Sequence, residues 1–237
     1  MALWNPWRGC HKFSEGCRYC YIHKGDYKRN IDTNIIRKTS NFYLPLEKNK
    51  KNEFKLKPNS KVYVCFSSDF LINEADPWRD ECWSMIKERS DLHFIFLTKR
   101  IHRLENHLPK DWGDGYDNIT IGCTVENQKA VNFRLPIFND IPIKHRNIIC
   151  QPLIERVNLE NYLSDIELVV VGGESDYNAR VLNYDWVLEI REQCINNQTS
   201  FEFRQCGTNF IKDNKQYRLN NKLLMSQAKK ANINYYI

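Results

Sequence analysis

The sequence predicts an α/β fold, a single domain over residues 1–237 built on one parallel sheet as a partial (β/α) barrel of six to seven strands. Three observations predict it. Short, nearly continuous apolar runs rich in β-branched and aromatic residues alternate with segments of helical period, as in a sheet buried on both faces. Polar residues gather just after each run, at the edge where α/β sheets place their sites. The chain has 237 residues and is 42% hydrophobic, enough for one sizeable core.

The elements follow in order. Ala2-Leu3-Trp4 is the candidate first strand, and Arg18 to about Asn30 reads as a helix. Residues 31–60 show no clean periodicity and read as a basic, irregular insertion. Lys61–Phe66 is β-rich and ends in Ser67-Ser68-Asp69. A helix follows, with Pro77 near its start and Trp78, Cys82, Met85 and Ile86 at helical spacing. His93–Leu97 ends in Thr98-Lys99-Arg100 and leads to a short helix over Ile101–His107. Beyond the turn-rich Asp111–Gly115, Asn118–Cys123 ends in Thr124-Val125-Glu126-Asn127 before another helix. Arg146–Cys150 ends in Gln151-Pro152, and Glu167–Val171 ends in Gly172-Gly173-Glu174-Ser175. A helix at Tyr184–Cys194 precedes Ser200–Phe203, which ends in Arg204-Gln205. A last helix spans about Asn220 to Ala231.

A purely structural sheet has no need of so many polar residues at one edge, so the pattern points to an enzyme-like cavity. Each residue also has a plainer reading. Asn127 suits a helix cap, Gly172-Gly173 an ordinary turn, and Lys99, Arg100 and Arg204 surface ion pairs.

The strongest chemical signal lies ahead of the sheet. Cys10, Cys17 and Cys20 put three thiols in eleven residues, with Gly9 and Gly16 before two of them to permit tight loops. The stiff run Trp4-Asn5-Pro6-Trp7 could shield a centre from water. Three thiolates with no fourth nearby suit a [4Fe–4S] cluster with one open iron. They also suit a Cys3His zinc site completed by His11 or His23, or no metal at all. Spacing favours the cluster, because closed zinc sites bring two ligand pairs and no second Cys-x-x-Cys is present.

Trp4-Asn5-Pro6-Trp7-Arg8-Gly9-Cys10 followed by Gly16-Cys17-Arg18-Tyr19-Cys20-Tyr21 resembles a phage-associated family of unknown function, itself similar to the radical S-adenosylmethionine enzymes. The likeness continues at Ser68-Asp69, Leu97–Arg100, Thr124–Asn127 and Gly172–Ser175, ending near Gln205. It implies a cluster on Cys10, Cys17 and Cys20 at the C-terminal strand edge, a TIM-type barrel, and S-adenosylmethionine as cofactor. It also implies an electron donor such as flavodoxin or ferredoxin. Nucleic acid or a nucleotide is the candidate substrate, from the phage association. The cofactor is then expected near Ser67, Ser68, Asp69, Thr98, Lys99, Thr124, Glu126, Asn127, Gly172, Gly173, Glu174 and Gln205, and the substrate near Arg100 and Arg204. The usual Gly-Gly-Glu turn follows the second strand in such enzymes. Here that place holds Ser67-Ser68-Asp69, so Ser68 and Asp69 are expected to take the cofactor's ammonium, and Glu174 ribose or substrate.

No run of 18 apolar residues is present, and no secretory signal is visible, so a cytoplasmic protein without a membrane partner is expected. Nine cysteines, an odd count, argue against a disulfide framework, and Cys65, Cys82, Cys123, Cys150 and Cys194 read as buried small hydrophobes. The net charge of +6 owes much to residues 48–61, with six lysines and one glutamate, read as an exposed loop, a small hairpin or a phosphate-contacting arm. Two other functions compete: a zinc- or cluster-stabilised nucleic-acid-binding protein, and a metal-dependent hydrolase using Asp69, Glu126 and Glu174.

Overall fold

The computed structural model describes residues 2–237. Its strands are β1 (Ala2–Trp4), β2 (Trp7–Arg8), β3 (Arg37–Lys38), β4 (Lys61–Val64), β5 (His93–Thr98) and β6 (Ile119–Thr124). They continue as β7 (His145–Cys150), β8 (Leu168–Gly172), β9 (Val181–Asn183), β10 (Ser200–Gln205), β11 (Asn209–Lys212) and β12 (Lys215–Arg218). The helices are α1 (Tyr21–Tyr27), α2 (Asp76–Glu88), α3 (Gln128–Asp140), α4 (Tyr184–Asn196) and α5 (Leu224–Lys230).

Seven strands form a parallel sheet in the order β1-β4-β5-β6-β7-β8-β10. These are the apolar runs read from the sequence, Ala2–Trp4 included. Leu3 lies opposite Tyr63, Tyr63 opposite Ile95, and Val169 opposite both Ile148 and Phe201. All six residues of β6 are buried, as a strand covered on both faces must be.

Backbone packing groups the chain into two interleaved units. One takes the chain up to Lys12, Ile22–Gly122 and Asp140–His145; the other takes Phe13–Tyr21, Cys123–Asn139 and Arg146–Ile237.

Aromatic packing dominates the first unit. Trp7 stacks on Phe70 at 5.4 Å and Phe70 on Phe96 at 4.7 Å, while Trp4 meets Phe94 edge-on at 5.8 Å. Helix α2 carries Pro77 in its first turn, where no N–H partner is needed, and buries Cys82, Trp83, Met85 and Ile86 along one face. Just past its end, Arg89 is buried and reaches back to the carbonyls of Pro45 and Leu56 and to Asp91. That guanidinium ties down the basic insertion. Phe42 and Leu56 are buried, and the Lys48–Phe54 bridge makes the lysine-rich stretch a small hairpin.

Two helical expectations need correction. Ile101–His107 forms two 3-10 turns, Ile101–Arg103 and Glu105–His107. Only Ile101 and Leu104 bury, an i,i+3 pair that suits the tighter turn, and Pro109 soon stops the run. The helix expected from Arg18 to Asn30 shrinks to Tyr21–Tyr27, preceded by a 3-10 turn at Glu15–Cys17.

In the second unit, α3 and α4 bury Val131, Leu135, Phe138, Val187 and Ile190. Asn183 caps α4 by accepting from the Asp185 N–H at 3.0 Å. A further sheet, β9-β11-β12, was not legible beforehand because β12 is polar and exposed throughout. Among the described residues no helix is long and apolar enough to cross a membrane.

Candidate functional site

Accessibility separates the nine cysteines into two groups. Cys10, Cys17 and Cys20 are half-exposed, whereas Cys65, Cys82, Cys123, Cys150, Cys194 and Cys206 are buried, and none is in a disulfide. Burial pushes the Cys194 thiol up to about 12 and Cys206 up to about 11, so both stay protonated and poor as ligands.

In the first unit, Cys10 is fixed from both sides. Its N–H donates to the Thr33 carbonyl at 2.8 Å, and the Gly9 N–H donates to Ser67 O at 3.3 Å. Gly9 has φ of +100°, and a Cβ there would lie 2.6 Å from the Ile35 carbonyl oxygen, so only glycine fits. The Ser68 hydroxyl donates to the Gly9 carbonyl, and Ser67 Oγ donates to Trp7 O at 3.1 Å. Ser67 and Ser68 thus position the start of the cysteine segment at the C-terminal end of β4. Trp4 and Trp7 are fully buried, with their indole N–H groups on Phe42 O and Asp69 O. Both are core residues, their rings absorbed by edge and face contacts with Phe94 and Phe70.

Next to Gly9, Arg8 pairs with Asp26, which is fully buried and also held by Arg29 Nη2 at 2.9 Å. Burial alone would raise the Asp26 carboxyl, but the Arg8 hydrogen bond and charge outweigh it and hold the group below its ordinary value. A depressed carboxylate contributes stability that is intact at neutral pH and is lost as pH falls through the range below its ordinary value of 3.8. Asp26→Asn is therefore expected to flatten the acid limb of a stability-against-pH curve. An acid limb unchanged in that variant rejects the assignment.

Asp69 is 5% exposed and uses both oxygens within its own unit. Oδ1 accepts from Thr98 Oγ1 at 2.7 Å and the Leu71 N–H at 3.0 Å; Oδ2 accepts from the Lys99 N–H at 3.1 Å and Arg100 Nη1 at 3.2 Å. Arg100 Nη2 continues to His11 O at 2.9 Å. Asp69, Thr98 and Arg100 thus knit the end of β4 to the end of β5. Asp69, expected at the cofactor's ammonium, has both oxygens engaged in this network, and Arg100, expected at the substrate, is a member of it. Lys99 differs: its N–H is on Asp69, but among the described residues its ammonium has no ion-pair partner. Asp69→Asn removes charge-assisted bonds worth ~1.5–3 kcal/mol each, so a clear fall in melting temperature is expected. An unaltered melting temperature refutes the knitting role.

In the second unit, two carboxylate–arginine pairs hold the loop that carries Cys17 and Cys20. Glu126, 1% exposed, accepts from Arg134 Nη1 at 2.7 Å and from the Gly16 N–H at 3.4 Å. A Cβ on Gly16 would sit 3.1 Å from the Glu126 carboxyl carbon. Arg134 also donates to Thr124 O at 2.6 Å and lies 5.4 Å from the Phe13 ring. Glu174 pairs with Arg180, whose Nη2 donates to the Glu15 carbonyl at 2.9 Å and whose guanidinium lies 5.8 Å from the Tyr19 ring. Burial alone would lower Arg180, but Glu174 outweighs it and holds the guanidinium above its ordinary value. Glu126, near the end of β6, and Glu174, past the end of β8, therefore serve as loop supports.

The remaining expected residues divide similarly. Asn127 accepts from the Ala130 N–H at 2.9 Å and caps α3, the plainer of the two readings given for it. Gly172 and Gly173 permit close approach: a Cβ on Gly173 would lie 2.8 Å from Cys206 O and from Gly207 Cα. Gln205 donates to Gly173 O and secures that approach. Arg204, expected near the substrate, pairs with Glu202 at 3.0 Å in the same strand. Sequence reasoning missed Arg134, Arg180, Arg8 and Asp26. None of the four carried a signal in the sequence, because Glu126 lies outside the helix that bears Arg134.

The strand-end carboxylates Asp69, Glu126 and Glu174 each face an arginine, an arrangement that does not suit a divalent ion in a hydrolase. His11 is engaged at Nε2 with Glu74 at 2.6 Å and at Nδ1 with Asn34 at 3.3 Å, which disfavours it as a zinc ligand. Among the described residues no three His, Cys, Asp or Glu side chains are gathered as a ready-made metal site. Cys10 in the first unit and Cys17 and Cys20 in the second are each accessible thiols, the donor type that iron–sulfur clusters take. No curated protein and no solved structure matches the chain. A family model described as protein of unknown function (DUF5131) matches residues 1–234, so the chain belongs to that family.

Proposed function

We propose that Cys10, Cys17 and Cys20 hold a [4Fe–4S] cluster, and that the protein is a radical S-adenosylmethionine-type enzyme on a partial (β/α) barrel. The observation that carries the reading is that these three thiols alone, of nine, are open to solvent. Bound there, the cluster would supply an electron and an open iron for reductive cleavage of S-adenosylmethionine. The chain's own part is to position and to bind. Ser67 and Ser68 hold the Cys10 end; Glu126 and Arg180 hold the Cys17–Cys20 end. Lys99, whose ammonium has no ion-pair partner among the described residues, is the cation for the carboxylate of S-adenosylmethionine. Its neighbours Thr98 and Arg100 orient it through Asp69. A flavodoxin or ferredoxin in the cytoplasm would deliver the electron, and nucleic acid or a nucleotide is the candidate substrate.

The test is purification without air, followed by iron and sulfide analysis and a visible spectrum. Incubation with S-adenosylmethionine and dithionite then yields 5′-deoxyadenosine. A colourless protein holding one zinc replaces this reading with a zinc-stabilised nucleic-acid-binding protein.

A further inference from the structure

A cavity of about 230 Å³ lies within the second unit, between β10, α4, α5 and the β11–β12 hairpin. Its floor is aromatic. Tyr184, Phe203 and Phe210 are buried, with Tyr184 5.7 Å from Phe210 and 6.1 Å from Phe203. Tyr217, directly opposite Phe210 in the hairpin register, is 42% exposed and stands at the rim.

The charge on this cavity has one sign. Lys212 lies 5.1 Å from the Tyr184 ring centroid, and Lys230 of α5 also lines the cavity. No carboxylate lines the cavity, and among the described residues neither lysine has an acidic partner. The Cys206 thiol in the wall is kept neutral by burial, so it adds no negative charge. The volume is below the ~300–1,000 Å³ of pockets that take drug-sized ligands. It therefore suits one ring with the rest of the ligand outside.

We propose that this cavity binds a nucleotide unit, its base among Tyr184, Phe210 and Tyr217 and its phosphate on Lys212 and Lys230. Every base has a π face, so stacking here tolerates any sequence, and two lysines without acids at the rim complement one phosphate. The site stands on the second unit alone and does not depend on a cluster at the cysteines. Both a free nucleotide and a single-stranded nucleic acid present this chemistry.

Calorimetric titration of the full chain separates the cases, using uridine 5′-monophosphate, uridine, inorganic phosphate and a short oligouridylate. The monophosphate is expected to bind saturably, with uridine and phosphate each at least tenfold weaker. Oligouridylate binding tighter than the monophosphate assigns the site to single strands; equal affinity assigns it to free nucleotides. The rim variant combining Lys212→Ala, Lys230→Ala and Tyr217→Ala should lose at least tenfold in affinity with an unchanged circular dichroism spectrum. No saturable binding of either the monophosphate or the oligouridylate overturns the proposal. So does equal binding of monophosphate and uridine, which needs no variant, or undiminished binding by the folded rim variant.

Discussion

Cys10→Ala, Cys17→Ala and Cys20→Ala are each expected to leave the protein, purified without air, colourless and nearly free of iron. A thiolate ligand contributes directly to holding the cluster, so its loss exceeds the ~10–100-fold in metal affinity that removing an outer-shell group costs. Cys65→Ala and Cys150→Ala provide the contrast, because both thiols are buried and pushed well above the ordinary thiol range. Burial is the largest cause in each, and a protonated thiol is not a ligand. Those two variants should keep their iron. Iron retained in Cys17→Ala but lost in Cys65→Ala reverses the assignment.

The second large effect is on stability. Glu126 and Arg134 are both buried, with side chains 1% and 3% exposed, and paired at 2.7 Å. Glu126→Ala leaves the guanidinium without its carboxylate in the interior, which costs ~3–5 kcal/mol. For a chain of this size that corresponds to a fall in melting temperature of roughly 10 °C. The paired change Glu126→Leu with Arg134→Met should recover most of the loss, since apolar groups of similar volume replace a buried ion pair at little cost. The single variant also removes the acceptor for the Gly16 N–H. Protease cleavage within Phe13–Tyr21 should therefore accelerate in Glu126→Ala. A melting temperature within a degree of the parent shows that the pair carries no such energy.

The sheet was legible because its strands are short, apolar and punctuated by polar residues. Val62 to Val64 and Leu168 to Gly172 announce themselves by composition. The site was legible only as a set of positions. Ser67, Asp69, Glu126 and Glu174 were found, but their partners were not. Arg134 and Arg180 look like any surface arginine in sequence, and only the fold shows that each faces a strand-end carboxylate. The period-based reading failed where segments were short. Two turns at Ile101–His107 cannot show whether they repeat every 3.0 or 3.6 residues. The β11–β12 hairpin was missed because exposed strands lack apolar alternation.

Strand β10 lies at the end of the sheet order, yet it is not left bare. The Phe201 N–H donates to Tyr235 O at 2.7 Å, the Tyr235 N–H returns to Phe201 O at 3.0 Å, and the Phe203 N–H donates to Asn234 Oδ1 at 2.9 Å. A few residues thus saturate the free amides of an otherwise sticky border. Covering that border blunts edge-to-edge pairing between molecules. Shortening the chain before Ile233 would uncover a template for other molecules to extend, and self-association would be the first symptom, ahead of any loss of chemistry.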